Sequence, residues 1–420
     1  YLHAKTHTEH LDNKVMESIT EQLNEIALCS LPGTGVSRLS FSQEHKDANK
    51  IIKNWMVSAG LDFRVDDAGS LIGASKVNSG MPTLIMGSHQ DTVIGGGKYD
   101  GIMGVLLPIL AFRTIDPGKL KYNLEIISFA DEEGVRFPTS LIGSRSLAGT
   151  FKKSYLGFKD KQGTSLENAM EAFGLNPKNI LNLKRDRKDL LGFVEVHIEQ
   201  GPILYHDNKA LGVVTSISGI ERYHISLHGE AGHAGTTPMH LRQDALSGAA
   251  RIISQVESSA VSSAGIATVG SINVEPNAVN VIPSKVDLTI EIRAGTDSKR
   301  NLLSEDIVKS VYDIANQKNL KVIIEKTYEQ KAVNCDEKLM DILSRSVEKV
   351  LGTSTYLSSG ATHDTSAMSD LCPVAMLFVR CLNGISHNPK ELASEEDMQL
   401  AVKVIADFLL NLNKSCISRG

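Results

Sequence analysis

Short, almost wholly apolar runs alternate along the chain with longer stretches in which apolar residues return every three or four positions. The first kind reads as strands covered on both faces, the second as amphipathic helices. Buried strands are predicted at Thr83–Met86, Leu124–Phe129, Gly192–His197 and Val374–Val379. Helices are predicted over residues 13–28, 41–60, 102–113, 339–351 and 395–410, with a helical, loop-rich insertion at 152–190. Two short strands around Phe63–Val65 and Ser70–Ile72 flank a turn at Asp67-Ala68-Gly69. From Thr215 the pattern changes to strand (218–228), helix (241–258), strand (266–274), strand (285–294), helix (302–317) and strand (321–328). That is βαββαβ, a ferredoxin-like sandwich. The expected fold is therefore α/β. A larger mixed-sheet domain uses residues 1–214 and 331–420, and a smaller domain is inserted at residues 215–330.

Composition narrows the class. A chain of 420 residues is too long for one core, and 41% hydrophobic with 22% charged residues is an ordinary globular balance. The net charge of -5 is spread out with no basic block, which argues against a nucleic-acid surface or a polybasic membrane anchor. No apolar run reaches spanning length, and Tyr1–Lys5 shows no basic-then-apolar leader. The five cysteines are scattered and never form a C-x-x-C pair, so neither a disulfide framework nor a cysteine zinc site is expected, and a cytoplasmic setting fits.

The chemistry gathers at strand ends. Gly87-Ser88-His89-Gln90-Asp91-Thr92-Val93 follows the first buried strand and runs through Gly95-Gly96-Gly97 to Tyr99-Asp100-Gly101. The glycine run is not a phosphate loop, since no Lys-Ser/Thr follows it. Asp131-Glu132-Glu133-Gly134 follows the second strand, and three adjacent acids there repel one another unless a cation is present. His197 closes the third strand ahead of Ile198-Glu199-Gln200-Gly201-Pro202. Each stretch alone also suits a hydrogen-bonded core histidine or a solvated turn. Three strands delivering ligand-type residues at the edge where open α/β sheets place their sites is a different matter. The small domain adds Gly232-His233-Ala234-Gly235-Thr236-Thr237-Pro238-Met239, and the last third adds Ile385-Ser386-His387-Asn388-Pro389.

In this order, and with Glu132-Glu133-Gly134-x-Arg136-Phe137, these motifs resemble the aminoacylase/carboxypeptidase (peptidase M20) superfamily of dinuclear metallohydrolases. Within it the chain is similar, over nearly its whole length, to the branch of N-carbamoyl-L-amino acid and allantoate amidohydrolases. The resemblance implies a zinc-exopeptidase-like catalytic domain, and an inserted domain that acts as a lid and pairs two subunits in a homodimer. It implies two divalent ions, zinc first among zinc, manganese, cobalt and nickel. Asp100 would bridge them, with His89 and His197 on one and Glu133 and His387 on the other. Asp91 would orient His89, Glu132 would be the general base and His233 would stabilise the oxyanion. Gln200, Asn280, Arg293, Gly360 and His363 would bind the substrate, Arg293 gripping its carboxylate with paired hydrogen bonds. His197 stands where peptidase relatives usually carry a carboxylate. The implied reaction is hydrolysis of the carbamoyl C–N bond of a small carboxylate-bearing ureido compound. N-carbamoyl-L-amino acids come first, then allantoate or ureidopropionate. A dipeptidase or aminoacylase, and a ligand-binding relative without activity, are the remaining alternatives. One departure stands out. Ser359-Gly360-Ala361-Thr362-His363-Asp364-Thr365 carries threonines where relatives commonly have Gly and Ala, which is expected to reshape the pocket.

Overall fold

The computed structural model describes residues 19–76 and 78–417, with side chains as far as Leu412. The first predicted helix is seen as Ile19–Ala27, and its residues 13–18 lie outside the described part. The strands are β1 (Asp62–Val65), β2 (Leu71–Ala74), β3 (Thr83–His89), β4 (Asn123–Phe129), β5 (Leu190–Ile198), β6 (Leu211–Ile217), β7 (Gly219–His228), β8 (Ile266–Glu275), β9 (Lys285–Ala294), β10 (Lys321–Gln330), β11 (Val333–Asn334), β12 (Tyr356–Ser359) and β13 (Val374–Val379). The larger sheet runs in the order β1-β2-β4-β3-β5-β13-β6-β11, with β12 also pairing β6. It is mixed: β3 runs parallel to β4 and β5, and β5 parallel to β13, whereas β2 is antiparallel to β4 and β6 to β13.

The chain packs as two compact units. One takes residues to Thr215, Cys335–Leu357 and those from Ala361 on. The other takes Ser216–Asn334 with Ser358–Gly360. In the larger unit β4 is buried at every position and β3 at all but its first. That explains the apolar runs Leu84–Met86 in β3 and Ile126-Ile127 in β4. The helix Ile102–Thr114 is apolar all round because it is buried all round, from Ile102 to Phe112. It presses so closely on the sheet that a Cβ at Gly104 would collide with the Val196 carbonyl. Gly104→Ala is therefore expected to lower stability by about 1–3 kcal/mol through overpacking. A lower urea midpoint with an unchanged denaturant slope would check this.

The smaller unit is βαββαβ, with helices Ala245–Ser262 and Asp297–Gln317 and the antiparallel strand order β10-β7-β9-β8. This is the ferredoxin-like arrangement. β9 alternates strictly between buried and half-buried positions, and Val286, Leu288, Ile290 and Ile292 face a core shared with Ile252, Val256, Leu303 and Ile307. Sequence patterning placed the second and last strands of this unit well. Its first helix begins at Ala245 instead of 241, because Asp244 caps it by accepting the N–H of Ser247. Three strands were not anticipated: β6, β11, and β12, which occupies the start of a stretch expected to be a small-residue loop. No described helix is long and apolar enough to cross a membrane.

Candidate metal centre

β4, β3, β5 and β13 are neighbours in the sheet, and all four run the same way, so the loops after them share one edge. Met86 pairs with Val194, and three residues further on His89 and His197 come out level, their rings 5.8 Å apart. His89 pairs with Phe129, just ahead of Asp131–Glu133. Val379 pairs with Ile198, ahead of the loop that carries His387. Asp100 arrives on the connection from β3 to the helix Ile102–Thr114. Gly101 lies against the His89 ring at φ +69, where a side chain would strike the imidazole, so glycine is the residue that fits.

These side chains meet around Asp100. Its Oδ1 lies 3.4 Å from His89 Nε2 and 3.1 Å from His197 Nε2. Its Oδ2 lies 3.3 Å from His387 Nε2, which is 3.5 Å from Glu133 Oε1. Glu132 Oε2 stands 3.8 Å from His89 Nε2. Three overlapping donor sets result: His89–Asp100–His197, His89–Glu132–Glu133 and Asp100–Glu133–His387. Charge-assisted hydrogen bonds would draw such pairs to about 2.7–2.9 Å. Donors around one tetrahedral ion at ~2.0–2.1 Å stand about 3.3–3.5 Å apart. The spacings of 3.4 Å from Asp100 to His89, 3.3 Å from Asp100 to His387 and 3.5 Å from His387 to Glu133 suit the second arrangement.

Electrostatics argue the same way. Burial pushes the Glu132 carboxyl well above its usual range against the pull of His89, and burial with Asp91 does so for Asp131. Burial opposes ionisation of Asp100 too, yet the imidazoles of His197, His387 and His89 beside it hold its carboxyl well below the usual range. Contacts with Asp100 and Glu133 lift His387 to about 10. The Oδ2 atoms of Asp131 and Asp364 are buried without a hydrogen-bond partner. So much buried acid, drawing imidazoles towards their charged form, makes a place that favours a cation.

The supports are local. Asp131 (φ 57), Gln200 (φ 58) and His387 (φ 53) adopt the left-handed backbone conformation that side chains rarely take, and such strain gathers at functional sites. Ser40 Oγ donates to Asp131 Oδ1 at 2.5 Å, and Arg136 Nη1 donates to the carbonyls of Ser40 and Phe41. The acidic loop is thereby held to a neighbouring one. Gln200 Nε2 donates to Asp100 Oδ2 at 3.0 Å.

The structure corrects the expected role of Asp91 and shows where the other expected residues lie. The Asp91 carboxylate was expected to orient His89, but it lies 3.7 Å from the ring and accepts the N–H groups of Glu132 and Glu133. The partner of His89 Nδ1 is the Asp91 main-chain carbonyl at 2.9 Å. Asp91 therefore shapes the acidic loop with its side chain and the imidazole with its backbone. Thr365 is buried, and its Oγ1 donates to Glu195 Oε2 at 2.6 Å. His363 is 1% exposed, its ring edge-on to His197 at 4.5 Å, so it backs that imidazole instead of facing solvent. His233, Asn280, Arg293 and Gly360 belong to the smaller unit. There His233 bridges Val281, and Ala234 N–H donates to the Asn280 carbonyl. Arg293 donates to Glu291 and the Gly360 carbonyl. Sequence reasoning missed Glu391 and Ser386. An acid four residues past His387, across a Pro-containing turn, was the available signal.

A family model described as Peptidase family M20/M25/M40 matches residues 85–411, which include every residue of the cluster. The chain belongs to that family. Curated relatives match along most of their length. An N-carbamoyl-L-amino-acid amidohydrolase from Pseudomonas sp. (strain NS671) is 36% identical, over 93% of this chain and 96% of that protein. An allantoate deiminase from Arabidopsis thaliana is also 36% identical, over 92% of this chain and 81% of its own. Among solved structures, a hydantoinase/carbamoylase family amidase from Burkholderia multivorans has a TM-score of 0.85 at 31% identity, covering 95% of this chain and 97% of that one. This M20 member is a hydrolase of C–N bonds.

Proposed function

We propose that the protein hydrolyses the carbamoyl C–N bond of N-carbamoyl-L-amino acids, giving the amino acid, CO2 and NH3. The observation that carries the reading is Asp100, with one carboxylate oxygen towards His89 and His197 and the other towards His387. That division suits a carboxylate shared between two divalent ions, with His89 and His197 completing one position and Glu133 and His387 the other. When bound, such a pair supplies Lewis acidity and a water acidic enough to act as nucleophile at neutral pH. Zinc fits imidazole and carboxylate donors, as manganese, cobalt and nickel do. Glu132, beside the cluster and raised by burial, takes the proton of the attacking water and returns it to the leaving nitrogen. Gln200, at the rim, hydrogen-bonds the ureido group. Arg293 and Asn280, with Gly360 beside Arg293, receive the substrate carboxylate, and His233 steadies the developing oxyanion. His363 acts from behind, through His197.

The small unit also supports a homodimer. Its ladder continues from His228–Lys285 out to His233–Val281, while Arg293 lies at the opposite end of β9. β9 alone spans roughly 25 Å between Lys285 and Arg293. One copy therefore cannot present both His233 and Arg293 to one small substrate, whereas two copies can. Mixed dimers of His233→Ala and Arg293→Ala chains, each inactive alone, are expected to regain about a quarter of wild-type activity, since half the dimers keep one intact site. Failure to regain any activity in verified mixed dimers would remove the shared-site reading.

The deciding experiment is ammonia release from a panel of N-carbamoyl-L-amino acids, allantoate and ureidopropionate by the metal-loaded enzyme. Fastest turnover on a carbamoyl amino acid is expected. Turnover of allantoate alone would reassign the substrate, and cleavage of acyl or peptidyl compounds alone would reject ureide chemistry.

A further inference from the structure

The Gly95-Gly96-Gly97 run binds no phosphate by motif, and the ligand geometry alone leaves it without a purpose. The structure gives Gly97 a steric one: a Cβ there would collide with the Glu391 carboxylate. Glu391 is 4% exposed. Its Oε1 accepts the main-chain N–H groups of Tyr99 and Asp100, each at 3.0 Å. Its Oε2 accepts the Ser386 hydroxyl at 3.0 Å. Gln200 Nε2 closes the circuit, donating to Ser386 Oγ at 3.1 Å and Asp100 Oδ2 at 3.0 Å. A single carboxylate thus holds the backbone that carries Asp100 and the side chain next to His387.

We infer that Glu391 is a positioning residue that locks the loops bearing Asp100 and His387 into ligating register, and that Gly97 serves to admit its carboxylate. The inference rests on the two-ion reading above. His89 and His197 stand on β3 and β5, deep in the sheet, and are 2% and 1% exposed. His387 is 48% exposed, on an irregular loop at φ 53. It has no strand to fix it and depends most on a tether. A carboxylate facing two N–H groups and a hydroxyl makes charge-assisted bonds roughly twice as strong as neutral ones. No packed apolar residue could replace that grip, because the N–H groups of Tyr99 and Asp100 would then be left buried without partners. Losing Glu391 should therefore loosen the Asp100–Glu133–His387 position more than the His89–Asp100–His197 position.

The test is Zn2+ binding to the metal-free full-length protein, by equilibrium dialysis with elemental analysis and by calorimetry. Wild type is expected to take two ions. Glu391→Ala should keep the first nearly unchanged and bind the second about 10–100-fold more weakly, the usual cost of removing a group that orients a ligand. Glu391→Gln, which keeps one acceptor oxygen, should fall between. Gly97→Ala, which leaves the acid in place but denies it room, should show the same selective loss. Excess Zn2+ should restore kcat in each variant with little change in KM. Far-UV circular dichroism verifies folding, and if Glu391→Ala does not fold, Glu391→Gln and Gly97→Ala decide. Two ions bound with wild-type affinities in the folded variants would overturn the inference alone. Fewer than two ions in wild type would overturn the two-ion reading and this inference with it.

Discussion

Glu132→Gln is expected to lower kcat by about 10³-fold, within the range by which a positioned acid–base group speeds proton transfer. Glu132 is 8% exposed and stands 3.8 Å from His89, next to the cluster around Asp100. Gln preserves its shape and can still accept a hydrogen bond, but it cannot hold a proton and hand it on. KM should change little, because the lost interaction develops only as the proton moves. Metal content, read by elemental analysis, should stay at wild-type level, since Asp100, His197, Glu133 and His387 are untouched. Near-wild-type turnover with metal retained would remove Glu132 as the base and move attention to Asp364, a buried acid whose Oδ2 has no hydrogen-bond partner.

Asp100→Asn is expected to be as damaging for a different reason. Asp100 offers one oxygen to each side of the cluster. Asn keeps one oxygen and replaces the other with an NH2 group, which donates and does not ligate. The variant should bind at most one ion, and activity should fall to about a thousandth of wild type or less. Added zinc or manganese should not restore it, in contrast to the Glu391 variants, where the ligands survive and only their placement suffers. Two ions bound at wild-type affinity would show that Asp100 is not shared, and the dinuclear reading would fail.

The residues behind these two expectations differ from Glu391 in how far they were visible from the chain alone. Asp100 and Glu132 announce themselves through the motifs they stand in after buried strands, although each stretch alone also suits a solvated turn. A relay of hydrogen bonds to Glu391, 291 residues from Asp100, does not.

Strand periodicity is a local property, so β3, β4, β5, β13 and the βαββαβ order could be read from sequence, while the candidate donors His89, Asp100, Glu133, His197 and His387 came from motifs that resemble a known family. β6, β11 and β12 could not, being short or defined by a partner far along the chain. Nor could the true contacts of Asp91 and Thr365, since a side chain's composition does not say which of two neighbouring donors it will reach. The distance between His233 and Arg293 depends on sheet order and register. The grip of Glu391 on Asp100 depends on a missing Cβ at Gly97. Covalent order and patterning set which groups are present and on which elements, while only packing in three dimensions fixes which of them touch.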